Sequence, residues 1–198
     1  PPAARGGATL TLLPEQRQLL VLGGADRTGN EYGFRKIFLF NLNDNGWSQN
    51  SQECTTTGDC PGPRSGHVAT LVQNKWVYVL GGLHFTSETC FHELYRLNVQ
   101  TMEWTKFKNA TLIRNGGTMP TPRNGLTACP VVNKVDGSTS IYYFGGSSPN
   151  AGLMNDLFVL DVPLCDDSEM ASSSSSAPFF RPNFNEISVQ GTPPTPRE

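Results

Sequence analysis

The sequence predicts an all-β protein built from repeated four-stranded antiparallel sheets, and three observations carry that prediction. The pattern Pro-x-x-Arg occurs at residues 2–5, 61–64, 120–123 and 194–197, with 59, 59 and 74 residues between successive arginines. Behind each of the first three arginines an apolar run ends in two glycines: LLVLGG at 19–24, WVYVLGG at 76–82 and IYYFGG at 141–146. The composition agrees, because 20 Gly and 15 Pro beside only 16% charged residues favour short strands and tight turns over helices.

Each unit reads as four strands in a fixed order. The first follows the arginine, at about 7–13, 67–73 and 126–133. The glycine-pair run is the second, and its unbroken apolar character fits a strand covered on both faces. The third alternates, as KIFLFNL at 36–42, ELYRLNV at 93–99 and DLFVLDV at 156–162. The fourth lies at a tryptophan nine residues beyond an aromatic of the third, Phe38 to Trp47 and Tyr95 to Trp104. Both tryptophans are expected to be buried between sheets. A single four-stranded sheet cannot hide both faces, whereas radial stacking of such sheets does and leaves only short edges, which is the β-propeller arrangement. The glycine pairs permit positive φ and close approach of a neighbouring backbone.

The order Pro-Arg-x-Gly-His, glycine pair, alternating strand and tryptophan resembles the kelch repeat, most closely in Arg64-Ser65-Gly66-His67 with Gly81, Gly82 and Trp104. The resemblance runs over essentially the whole chain and implies kelch-type β-propeller blades, of which family members carry about six or seven. Blade 1 is expected at about 5–60, blade 2 at about 61–119 and blade 3 at about 120–193, with 194–198 opening a next blade. Three blades do not close a ring, so an incomplete ring is expected. The third blade departs from the pattern. Asp167 stands where its tryptophan should be, and a Ser-rich insertion at 165–177, including the serine run 172–176, separates the third strand from FNEISVQG at 184–191. Phe184 then takes the tryptophan's place.

Charge and motif content narrow the function. The net charge is −2 and no basic run is longer than Arg35-Lys36, so a nucleic-acid surface is not expected. No apolar segment approaches a membrane span, and neither a nucleic-acid nor a membrane partner is expected. Five cysteines without CxxC spacing read as free thiols and a cytoplasmic location, with a Cys54–Cys60 pair and a glycan at the Asn109-Ala110-Thr111 sequon left open. Phosphate-loop, zinc-protease and hydrolase-elbow motifs are lacking. His67 reads as a structural imidazole. His84, Cys90 and His92 have irregular spacing and no fourth ligand, so no metal and no cofactor is expected. Asn41, Asn43 and Asn45 imitate half an EF-hand loop, but Gln52 holds the twelfth position, and Asn45-Gly46 reads as a tight turn.

The reading that needs no special chemistry is a non-catalytic protein–protein interaction module. Long loops between second and third strands carry side chains suited to anchoring a partner protein or peptide: Tyr32, Phe34 and Arg35; His84 and Phe85; Asn150 and Met154. The repeating arginines, Arg64 and Arg123 with Arg5, are candidates for the same face or for a structural role at blade junctions. The resemblance implies cytoskeletal or ubiquitin-ligase-like assemblies as contexts. A secreted or metal-dependent enzymatic propeller is the alternative.

Overall fold

The glycine-pair runs form the second strand of each sheet because β-branched and leucine side chains fill both faces of a pleated strand flanked by two others. The computed structural model describes residues 1–47, 54–109, 112–113, 117–164, 182–188 and 195. The insertion expected at 165–177 lies outside the described residues, as does the opening of a next blade at 194–198 apart from Thr195. Among the described residues there is no α-helix.

The first sheet contains β1 (Thr9–Leu13), β2 (Gln18–Leu22), β3 (Lys36–Asn41) and β4 (Gly46–Trp47) in that order, with β5 (Cys54–Thr55) paired to the start of β3. The second contains β6 (Thr57–Gly58), β7 (Ser65–Val72), β8 (Trp76–His84), β9 (Thr89–Cys90), β10 (Tyr95–Asn98) and β11 (Glu103–Lys106). Its order is β6-β11-β10-β8-β7, with β9 on the end of β8. The third contains β12 (Thr127–Val132), β13 (Thr139–Phe144), β16 (Leu157–Val162) and β17 (Asn183–Glu186), and a small hairpin of β14 (Ser147–Ser148) and β15 (Gly152–Leu153) stands in its loop. Neighbouring strands are antiparallel except β6 and β11, which run parallel. That extra strand departs from the simple four-stranded expectation. Residues 54–58 leave the first sheet through β5 and join the outer edge of the second through β6.

Register aligns the three sheets residue by residue. Leu19 pairs with Phe40 and Phe40 with Trp47; Val77 pairs with Leu97 and Leu97 with Trp104; Ile141 pairs with Leu160 and Leu160 with Phe184. Phe184 therefore occupies the tryptophan's register position. β8 does not stop at its glycines but runs through Gly81 and Gly82 to His84, where Leu83 and His84 pair with β9.

Two apolar cores lie between the sheets. Leu13, Leu20, Leu22, Phe34, Ile37 and Leu39 of the first unit meet Val77, Val79, Tyr95, Leu97 and Trp104 of the second. Trp76, Tyr78, Leu80 and Leu94 on its other face meet Ile141, Tyr143, Phe158, Leu160 and Phe184 of the third. Trp104 is 2% exposed. Trp47, expected to be buried likewise, is only half-buried, because no described sheet lies against the outer face of the first. The alternating burial of β13 has the same origin: one face is sealed against the second sheet and the other is open.

Candidate functional site

The repeating arginine is the device that joins the glycine corner to its unit. Its Nη1 donates to the carbonyl of the first glycine of the pair, Arg5 to Gly23, Arg64 to Gly81 and Arg123 to Gly145, each at 3.1 Å. Its Nε donates to the carbonyl two residues earlier, that of Ala3, Gly62 or Thr121. The guanidinium of Arg5 lies 3.7 Å from the Tyr32 ring centroid and that of Arg64 3.9 Å from Phe91. In the third unit Met154 holds the equivalent backbone position, since Tyr32, Phe91 and Met154 each donate their N–H to the second glycine. Arg123 turns instead to the Asp156 carboxylate, which accepts from both Nη1 and Nη2. Burial pulls the Arg64 pKa below its ordinary value.

Glycine at these corners is required by the neighbouring unit. Gly23 and Gly81 have φ of 57° and 72°, and a Cβ on either would stand 2.8 Å from the Arg64 or Arg123 carbonyl oxygen of the next unit. The next glycine donates to that same carbonyl, Gly24 to Arg64 at 3.0 Å and Gly82 to Arg123 at 2.9 Å. His67 sits at the first of these joints, within 3.0 Å of the Thr9 hydroxyl through Nε2. Burial, with the adjacent Arg64 charge, lowers its pKa to about 3, so the imidazole is neutral.

The loops between second and third strands gather on one face, and the expected anchors divide there. Phe34 is a correction: it is 1% exposed, with its ring edge-on to His67 and Trp104 at 5.0 and 5.8 Å, and belongs to the core. Arg64 and Arg123 are corrections too, at 1% and 3% exposure, with their guanidinium groups committed inside the chain. Tyr32 is half-buried under Arg5, and Met154 half-buried with its sulfur accepting from the Thr121 hydroxyl. Arg35 and Asn150 are exposed, and Arg35 reaches the Thr56 carbonyl.

Phe85 is 61% exposed and lies across Gly29 of the preceding unit. Its presentation depends on Glu31, a residue the sequence did not single out. The Glu31 carboxylate accepts the Phe85 N–H and pairs with His84 Nε2 at 3.5 Å, so the loop of the first unit clasps that of the second. The backbone N–H of Ser87 donates to His84 Nδ1, which leaves the ring proton on Nε2, facing Glu31. Beside Phe85 a cleft of about 480 Å³ is walled by Gly6, Gly7, Ser65 and Gly66 on one side and by Ala25, Asp26, Arg27 and Thr28 on the other. Asp26 is held well down, to about 2, by hydrogen bonds from Thr28 and Asn30 that fix the loop.

His84, Cys90 and His92 turn to different neighbours: Glu31, the Ser147 carbonyl and the Asn109 amide. Cys60, Cys90 and Cys129 are free thiols. Among the described residues no three His, Cys, Asp or Glu side chains come together as a metal cluster, and no helix is long and apolar enough to cross a membrane.

Sheets of four antiparallel strands stacked face to face around inner strands define a β-propeller, here with its ring open. The family model for the KLHDC2/KLHL20/DRC7 Kelch-repeats domain matches residues 1–112, and the chain belongs to the kelch-repeat family. Acyl-CoA-binding domain-containing protein 5 of Arabidopsis thaliana is 31% identical over 152 residues, covering 77% of this chain and 20% of that protein. Human Kelch domain-containing protein 3 is 30% identical over 151 residues, covering 72% of this chain and 35% of its own length. A solved structure described as the structure of YjhT superposes with a TM-score of 0.59 at 16% identity, over 96% of this chain and 53% of that one. The chain thus spans a fifth to about a third of these curated relatives and about half of the solved chain. Kelch-repeat domains are in general protein-interaction modules.

Proposed function

We propose that this chain is a non-catalytic interaction module whose second-to-third-strand loops bind a partner protein or peptide within a larger assembly in the cytoplasm. The observation that carries the reading is Phe85, an exposed aromatic held in place by Glu31 at the wall of a cleft. Rigid aromatics on fixed loops bind with little loss of side-chain freedom, which is why such residues dominate interaction energies. His84, Tyr32, Arg35, Asn150 and Met154 are the flanking contacts in this proposal. The remaining propeller blades are the other partner.

Selection of a displayed random-peptide library on the immobilised chain tests the reading. Enriched peptides are expected to lose binding to the Phe85→Ala chain and keep it with Val135→Asp, whose site is exposed at the tip of the β12–β13 hairpin. Peptides that bind Phe85→Ala as well as the parent would overturn the loop face as the binding surface. Stoichiometric copper or iron in the purified protein, or a glycan on Asn109, would overturn the non-catalytic cytoplasmic reading.

A further inference from the structure

The contact between the first two loops joins a buried acid to a side chain that can take up a proton near neutral pH. The Glu31 side chain is 3% exposed and that of His84 35%. One oxygen of the Glu31 carboxylate accepts the Phe85 N–H, and the other faces His84 Nε2 at 3.5 Å. Among the described residues His84 is the basic side chain that pairs with this carboxylate. With a neutral imidazole, Glu31 is therefore a charge sealed from water and answered by hydrogen-bond donors alone, an arrangement that a nearby cation stabilises.

The other side of the ring has a partner for either protonation state. A bare Nδ1 accepts the Ser87 N–H at 3.3 Å, and a protonated Nδ1 has the Ser87 hydroxyl oxygen 2.9 Å away to donate to. That oxygen is oriented to accept. Its own proton goes to Thr89 Oγ1 at 3.0 Å, and the Thr89 hydroxyl donates onward to the Ser87 carbonyl at 3.2 Å. Nε2 keeps its proton toward Glu31 throughout, so protonation changes a neutral hydrogen bond into an ion pair and costs the ring no partner. The surrounding groups do not compete for this role. Asp26 is committed to Thr28 and Asn30, and the Cys90 thiol is turned to the Ser147 carbonyl. Arg27 at the cleft wall and Glu88 on the loop of His84 form no ion pair with described residues. The adjoining hairpin of the third unit, 147–153, carries no charged residue.

We propose that His84 is a proton-operated latch, which on mild acidification tightens the clasp of Glu31 on the Phe85 backbone and strengthens capture of peptides at the loop face. Imidazole is the side chain whose ordinary titration falls between about pH 5 and about pH 8, so the latch works over a range in which carboxylates and lysines keep their charge. A firmer Phe85 loses less freedom when a partner binds, which is how a change in one loop contact reaches affinity. The link to binding rests on the loop-face reading, whereas the latch itself is read from the Phe85 amide without any peptide.

Amide hydrogen exchange of the full isotope-labelled chain tests it. Protection of the Phe85 amide, relative to the intrinsic rate at each pH, is expected to rise about threefold to tenfold from about pH 7.5 to about pH 5.5, the gain of a charge-assisted hydrogen bond over a neutral one. His84→Gln keeps a donor for Glu31 without a titrating ring, and Glu31→Gln keeps an acceptor without a charge. Both are expected to hold Phe85 protection level across that range, with the Leu97 amide of the second sheet protected as the sign of an intact fold. Flat protection in the parent, or a rise that persists in either folded variant, would overturn the latch. Peptides enriched on the chain, with blocked termini and no His, Asp or Glu, are expected to bind the parent about threefold to tenfold tighter at the lower pH and His84→Gln equally at both. A responding amide with equal parent affinities would overturn the link from latch to binding. If no enriched peptide depends on Phe85, the loop-face reading fails, and the amide record alone still decides the latch.

Discussion

The joint between the first and second sheets and the joint between the second and third solve one packing problem with different chemistry. In the first, Trp104 brings an indole N–H into a sealed core, and the Thr56 hydroxyl accepts it at 3.1 Å while donating to the Phe34 carbonyl at 2.8 Å. In the second, Phe184 fills the same register position with no polar atom. The segment that reaches it contributes buried Leu112, whose carbonyl accepts the Phe184 N–H. The arginines differ in parallel: Arg64 is held by aromatic rings and backbone carbonyls, Arg123 by the Asp156 carboxylate. A large ring at this position therefore brings obligations set by its polar atoms, and each joint meets only those it has.

Substitutions at the two joints sharpen this contrast. Trp104→Ala is expected to cost about 3–5 kcal/mol, as for large aromatic deletions in cores, measured by urea denaturation. Trp104→Phe keeps an aromatic ring but removes three ring atoms and the hydrogen bond, and is expected to cost about 1–3 kcal/mol, less than the alanine variant. A cost below about 1 kcal/mol for Trp104→Ala would contradict a packed joint. Arg123→Met strands the Asp156 carboxylate and is expected to cost about 2–4 kcal/mol, below the full penalty for a broken buried pair because Asp156 keeps 28% exposure. Arg64→Met leaves carbonyls without a donor, whereas the nearby Glu93 carboxylate keeps its Lys106 partner, so the expected cost is about 1–3 kcal/mol. If Arg64→Met proved the costlier, the ion pair would not be what distinguishes the second joint.

The effect that is smallest at neutral pH concerns acid. His67 is neutral in the fold with its pKa lowered to about 3, against an ordinary value of 6.5. The unfolded chain binds this proton first, so the stabilisation is complete above pH 6.5 and declines as pH falls from there toward 3. The third unit carries Leu126 at the equivalent position, three residues beyond its arginine. His67→Leu is therefore expected to flatten the acid limb of the stability profile with little change at neutral pH. Thermal melts from pH 3 to 7 on both chains check this, and an unchanged acid limb would assign it to other groups.

The repeat was legible because its marks are local: arginines 59 residues apart, glycine pairs, and an aromatic nine residues before a tryptophan. Phe184 could be placed across a long insertion because strand alternation resumes after it. Burial was less legible where it depends on a neighbouring unit. Phe34 and Phe85 are both aromatics in loops at one end of a sheet, yet one lies against His67 and Trp104 and the other, 61% exposed, lies across Gly29. Trp47 has the right register, and no described sheet covers it. The recurrence of Arg64 and Arg123 fitted an exposed ring and a buried bracket equally well, and the carbonyls that decide between them lie 17 and 22 residues away. Glu31 carries no motif, and its role arises from the adjacent loop.

The crossing of residues 54–58 from one sheet to the next has a consequence for how such a chain can be cut and recombined. On paper the repeats divide near residue 61, where Pro-x-x-Arg begins. A break there would take Thr56 away with the first unit, leave the indole N–H of Trp104 without its acceptor, and strip β6 from the edge of β11. The heritable module and the physical one are offset by several residues. Exchanges between repeats are tolerated best where the crossover carries this splice along with the sheet it seals, and a graft that follows the sequence boundary inherits a damaged seam on both sides.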